Sequence, residues 1–349
     1  MRKNERPIVV GPWGRGQIGP VNRRTMHAIL TVTIPFFALI LVGYLAARRG
    51  LLPLAAVPGL NAFVLYFALP CMLLRFGARL PVAELLDPAV LGLYLICALA
   101  VVALTIALTR RAAGNLRDAA FGALVAAFPN TGFMGVPLLV ALLGPAAAGP
   151  VITTVLLDLF VTSSLCIAIA QLHDGERGAV GRSLRAALAN PLPWSIGLGA
   201  LMSVTGLTLP GPLDRVIAML ADAASPVALF TIGAVLWRSG LDAQGRPAPR
   251  LSPGRYLPVA LIKLVVHPAL VWAGGRLAQQ AGLGVSDFQL TVLTLAAALP
   301  SASNVSLLAE RYRADNGRVA RIILASTVLA FGSFALVAWR FGVAASARA

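Results

Sequence analysis

The sequence predicts an all-α polytopic membrane protein of about ten transmembrane helices in two inverted five-helix repeats, with helices four and nine broken. Three observations carry this reading. The 349 residues are 58% hydrophobic and 12% charged, with a mean hydropathy of +0.83, whereas soluble domains carry about 25% charged residues. Apolar runs long enough to cross a bilayer, about 20 residues each, recur along the whole chain. Two of these runs are interrupted alike, by FPNTGFMGVP at 128–137 and by LPSASNVSLL at 299–308.

In chain order, spans are expected near 27–47, 54–75, 88–109, 119–143, 149–171, 191–209, 215–237, 257–278, 288–309 and 319–341. The first half, 26–171, and the second, 191–349, open alike: IPFFALILVGYLAARRGLLP answers to NPLPWSIGLGALMSVTGLTLP. Each half holds five spans with the interrupted one fourth, and an odd number of spans turns the second copy upside down in the membrane. Between the halves, 172–190 is a short basic linker expected on the cytoplasmic side. The first 25 residues are Gly/Pro-rich and basic without an apolar period, and are expected to be disordered. Met26 begins a stretch that resembles a complete start, so translation from Met26 is one expectation for this chain.

Charge gives the sidedness. The net charge is +16, but the arginines cluster in short gaps such as AARRG and LTRRAAGNLRD rather than on one face, which argues against a nucleic-acid partner. Sixteen arginines fall in the odd-numbered gaps. Six (Arg75, Arg79, Arg215, Arg276, Arg340 and Arg348) fall on the other side, leaving out the first 25 residues. The positive-inside rule then places the odd gaps in the cytoplasm and both termini outside. The six basic residues of the N-terminal stretch run against this bias. Cys71, Cys97 and Cys166 lie inside apolar runs with no metal-ligand spacing and read as small core residues.

The breaks gather polar groups. Pro129 and Pro300 each remove a helix donor. In lipid, unpaired backbone costs several kcal/mol per group, so a break persists only where protein or a cavity satisfies it. Asn130 and Asn304 bring amides, Thr131, Ser301, Ser303 and Ser306 bring hydroxyls, and Gly132 and Gly135 permit close backbone approach. A half-helix starting after each break would aim its positive end at the centre, favouring a small anion such as a carboxylate. Neither break contains an acid, as a cation or proton exchanger would require.

These motifs, AAFPNTGFMGVPLL and ALPSASNVSLLAERY, together with the opening of span one and ASPVALFTIGAVLWRSG, resemble the auxin efflux carrier family in its bacterial, malonate-transporter-like branch. The resemblance runs from about residue 27 to 341. It implies broken helices four and nine crossing at their prolines, elevator-like transport against a scaffold that often dimerises, and substrate binding around Pro129, Asn130, Pro300 and Asn304. The long hydrophilic loop of the plant members is absent, so auxin is not the expected substrate.

Other polar residues within spans are candidates. Lys263 is costly at that depth and reads as a partner for a substrate carboxylate, a built-in cation, or a structural pair. His267, one turn on, is a proton carrier or a packing histidine. Asp158 is the one acid well inside a span, and pairing with Lys263 or binding H+ or Na+ are both open. Asn61 and the Ser225-Pro226 step fit interhelical hydrogen bonding and a kink. Asp118, Asp222 and Glu310, near span ends, are expected to be solvated. No HExxH, paired catalytic aspartates or P-loop is present, so neither an enzyme nor direct ATP drive is expected, and no cofactor is implied. The reading is a secondary carrier for small organic anions in the bacterial inner membrane. A cation/proton exchanger or a bile-acid-type sodium symporter is the alternative.

Overall fold

A computed structural model describes residues 23–81, 87–172, 181, 185, 188–241 and 251–343. Most of the N-terminal stretch and of the 172–190 linker, including Arg177 and Arg182, lies outside them. The first helix begins at Arg23, three residues inside the stretch expected to be disordered.

Seven helices of 23–28 residues are long and apolar enough to cross a membrane: α1 (Met26–Arg48), α2 (Leu54–Arg79), α3 (Pro88–Arg111), α5 (Pro145–Gln171), α7 (Gly211–Arg238), α8 (Leu257–Gln280) and α10 (Asn316–Arg340). The expected fourth span is two pieces, α4a (Leu116–Ala127) and α4b (Thr131–Leu143). The ninth is likewise α9a (Asp287–Ala297) and α9b (Val305–Arg311). The sixth, α6 (Pro191–Thr205), ends four residues earlier than expected, because Gly206 takes a left-handed conformation with φ 68°.

Helix starts follow local chemistry. The side chain of Asp87 accepts from Ala89 and Val90 N–H ahead of Pro88, and Asn115, Asn190 and Asp315 accept likewise at α4a, α6 and α10. Ser286 and Gln289 form a reciprocal capping box at α9a. Asp87 also receives a 2.8 Å hydrogen bond from the Gln289 amide, which fastens the start of α3 to that of α9a.

Burial orders the bundle. Every residue of α4a from Ala119 to Ala127 is buried, and so are Val292 to Ala297 of α9a. The first halves of the broken helices are therefore in the interior of the protein. Helices on the outside carry exposed apolar side chains, among them Val42, Ile96, Leu198, Val216 and Val328, as a lipid-facing surface requires. The helices α1, α2, α6 and α7 pack on one another, while α3, α5, α8 and α10 surround the broken pair.

The first group is closed by glycines. A Cβ on Gly43 of α1 would lie 1.9 Å from the Phe230 carbonyl oxygen of α7, and one on Gly233 would lie 1.9 Å from that of Ile40. In the α2–α6 pair, Gly199 faces the Leu74 carbonyl and Gly77 that of Ile196. The two crossings use equivalent positions: residues 43 and 199, 77 and 233, 40 and 196, and 74 and 230 are all equally far apart in the chain. Backbone-to-backbone packing of this kind is available only to residues without a side chain.

Candidate functional site at the helix crossover

The two breaks meet. Pro129 and Ser301 form an antiparallel bridge. Asn130 N–H donates to the Pro300 carbonyl at 2.8 Å, and Ala302 N–H donates to that of Phe128 at 3.0 Å. Pro129 and Pro300 lie where this bridge needs no donor, so their missing N–H groups leave nothing unpaired. Further groups of the unwound backbone are also satisfied. Thr131 N–H reaches the Pro129 carbonyl, Met134 and Gly135 N–H reach that of Asn130, and Ser301 N–H reaches Ser326 Oγ at 3.2 Å. This is the condition under which irregular backbone is tolerated at membrane depth.

Side chains at the crossover divide into those already engaged and those not. Ser306 Oγ donates to Asn316 Oδ1 at 2.9 Å and so ties α9b to the start of α10. Ser301 Oγ and Asn304 Oδ1 are buried atoms without a hydrogen-bond partner. Asn130, Thr131 and Ser303 are buried beside them, and no described hydrogen bond engages the Asn130 amide. Gly135 is a close approach, since a Cβ there would lie 2.8 Å from Leu299 Cδ1. Gly132 is not, because a Cβ there would meet nothing within 4 Å. The sequence reading treated the two glycines alike, whereas only Gly132 borders open space.

The buried charges sit on widened, π-type helical turns, Asp158–Thr162 in α5 and Ile262–Val266 in α8, and a third such turn, Thr131–Gly135, opens α4b. Such turns are frequent at functional sites and displace side chains from the regular register. Asp158, wholly buried, accepts from Tyr94 Oη at 3.0 Å and from Thr162 Oγ1 at 3.1 Å. Lys263, also wholly buried, donates to the Ala297 carbonyl and lies 3.4 Å from His267 Nδ1. The Tyr94 and His267 rings stand 6.0 Å apart. The described ion pairs include none between Asp158 and Lys263.

Lys263 thus meets α9a at its last residue, where a helix leaves carbonyls unpaired and carries partial negative charge. His267, one turn further, lies beside the Ala126 carbonyl at the end of α4a, with no hydrogen bond of ordinary geometry at Nε2. One face of α8 therefore serves the C-terminal ends of both first half-helices. Of the roles left open for Lys263, the structure shows a bond to backbone at the end of α9a. The positive helix end after the second break belongs to a helix of only seven residues, α9b, and that after the first to α4b.

Away from the crossover, Asn61 is half-buried in α2 with no described side-chain hydrogen bond, and Ser225-Pro226 lies within continuous α7. Asp118, expected to be solvated, accepts from Asp315 N–H at 2.7 Å and from the Asn115 amide. Arg318, one of the sixteen arginines counted in the odd-numbered gaps, is buried to 1% exposure and donates to the carbonyls of Arg255 and Asp118, both at 2.8 Å. Tyr94, Thr162 and Ser326 were not singled out in the sequence, because single hydroxyl residues in apolar helices carry no pattern.

The fold and this paired break define an integral membrane protein of transporter type. A family profile described as "Membrane transport protein" matches residues 28–338. The chain belongs to this family, the auxin efflux carrier family. It is 31% identical over 314 residues to a protein of Rhizobium meliloti (strain 1021) described as "Putative malonate transporter", covering 87% of this chain and 93% of that one. It is 26% identical over 304 residues to an "Uncharacterized transporter" of Methanothermobacter thermautotrophicus (strain ATCC 29096 / DSM 1053 / JCM 10044 / NBRC 100330 / Delta H), covering 85% and 93%. Identity to "Uncharacterized transporter YfdV" of Escherichia coli (strain K12) is 23% over 61% of this chain and 65% of the relative.

Proposed function

We propose that this chain is a secondary active carrier of small organic anions, malonate or related carboxylates, in the bacterial inner membrane. The observation that carries the reading is the crossover: two breaks joined backbone to backbone, with Ser301 Oγ and Asn304 Oδ1 buried and unpartnered, and with Gly132 bordering open space. Unpaired buried polar groups cost about 1–3 kcal/mol each, and a carboxylate accepting from the Ser301 hydroxyl would recover that cost there. The amides of Asn130 and Asn304 and the N-terminal end of α4b supply donors, and no acid lies in either break, which favours an anion over a cation. The relative described as a malonate transporter supports the same class.

Transport is elevator-like in this reading. Arg318, Asp118 and Arg255 bind α10, α4a and the approach to α8 together, and Asp87–Gln289 binds α3 to α9a, so these helices would travel as one body. The glycine-closed group α1, α2, α6 and α7 would be the stationary support and the surface of a homodimer. Its evenly spaced crossings support two inverted repeats, 26–171 and 191–349. The arginine bias supports cytoplasmic odd gaps and outer termini. Asp158, held by two hydroxyls, is the group best placed to carry a coupling H+ or Na+.

Proteoliposomes holding the purified chain test this by uptake of small carboxylates under imposed H+, Na+ and potential gradients. Gradient-driven accumulation of a carboxylate is the expected result. Accumulation of cations alone would refute the reading.

A further inference from the structure

Arg75 and Arg79 stand one turn apart near the end of α2, a spacing at which like charges repel and weaken a helix by about 0.2–0.5 kcal/mol. Both line a cavity of about 300 Å³ together with Met72, Phe76, Pro137 and Asp222. They also line a smaller cavity of about 70 Å³ with Asp214. Together the two cavities set two guanidinium groups against two carboxylates, and the described ion pairs here include only that of Arg75 with Asp222, leaving Arg79 without one. The larger one lies where the two helix groups face each other, since Arg75, Arg79 and Asp222 belong to α2 and α7 and Pro137 belongs to α4b. Pro137 is six residues past Thr131, so the wall of this cavity stands about 9 Å along the helix from the break.

The partner of Arg75 is loosely held. Arg75 Nη1 is 3.9 Å from Asp222 Oδ1, and the Asp222 side chain is 81% exposed. A pair of this length and exposure contributes little. A ligand carboxylate meeting the planar guanidinium with two short hydrogen bonds would displace it readily. Ser225 lines the same cavity, and the neighbouring Pro226 lacks the N–H that would otherwise pair with the Asp222 carbonyl.

We propose that Arg75 and Arg79 form an anion-recruiting vestibule, in which an incoming carboxylate takes Arg75 from Asp222 before passing to the crossover. The proposal rests on the anion-carrier reading above and adds a second, outlying carboxylate site to it. A dicarboxylate engages both arginines, while a monocarboxylate engages them with half the charge. The vestibule therefore selects for dianions and raises their local concentration.

The test uses proteoliposomes of the full chain with radiolabelled malonate, a dianion, and its monoamide, a monoanion. Arg75→Gln/Arg79→Gln is expected to raise the malonate KM about tenfold at low ionic strength, to raise that of the monoamide less, and to leave the maximal rate near that of the unaltered protein. The fall of malonate affinity with added salt should flatten in this variant. Arg75→Lys/Arg79→Lys should restore most of it, and Asp222→Asn should lower the malonate KM. Arg79→Gln alone, at an exposed position, guards against misfolding and should show part of the effect. An unchanged malonate KM and salt dependence in the double Gln variant, with the unaltered protein active, overturns the vestibule alone. If the unaltered protein carries no carboxylate, the carrier reading fails instead. Equilibrium binding of malonate to the solubilised protein then decides the vestibule, and no binding, or binding insensitive to the double Gln variant, overturns it.

Discussion

The backbone N–H of Asn130 donates to the carbonyl of Pro300 at 2.8 Å, across 170 residues of chain. This contact, with its partner from Ala302 to Phe128, makes the two interrupted helices a single object. Near it, Ser301 Oγ and Asn304 Oδ1 have no hydrogen-bond partner.

Replacing Asn130 or Asn304 with Ala should remove transport while leaving the folded protein in the membrane. The Asn304 Oδ1 is unpartnered and no described bond engages the Asn130 amide, so neither truncation breaks an internal hydrogen bond. Uptake by proteoliposomes, set beside gel-filtration profiles in detergent, checks this. Full uptake in both variants would move the binding site elsewhere.

Gly132→Ala should leave thermal stability unchanged, because the added methyl group meets nothing within 4 Å. If that space receives substrate, the same variant should raise the KM severalfold. Melting temperature and uptake kinetics measured on one preparation separate the two effects.

Lys263→Met removes the donor to the Ala297 carbonyl and leaves the end of α9a uncompensated. The expected cost is about 1–3 kcal/mol, read as a lower melting temperature in detergent, with transport of neutral and anionic compounds reduced alike. A selective loss of anion transport at normal stability would instead make Lys263 a substrate ligand.

Gly43→Leu and Gly233→Leu should separate α1 from α7. Each side chain would start 1.9 Å from a backbone oxygen, a clash no rotamer relieves, at a cost of at least about 1–3 kcal/mol. Gly199→Leu should do the same to α2–α6. Gly197→Leu, where a Cβ meets nothing within 4 Å, is the control. Equal melting temperatures for all four would contradict the packing.

Much of this arrangement could be read in the sequence. Span positions followed from apolar length, and the breaks from Pro129 and Pro300 interrupting it, because lipid imposes one period and one length on every helix. Lys263 and Asp158 stood out as charges where charge is costly. What they touch did not, because Ala297 and Tyr94 are remote in sequence and ordinary in type. Arg318 was misread because a count of arginines between spans cannot tell a solvated side chain from one buried against two carbonyls. Arg75 and Arg79 were read only as topology signals, since a cavity between two helix groups has no sequence pattern.

The joint at the centre is made by main-chain atoms alone. Any residue with an N–H can supply the one at position 130, and every residue has the carbonyl that receives it at position 300. Nothing about the joint therefore constrains the amides and hydroxyls around it. A lineage could exchange them one at a time, altering cargo without rebuilding the machine that carries it. Kinship among proteins sharing this crossing is thus a statement about a mechanical part, and each member's cargo has to be read from its own side chains.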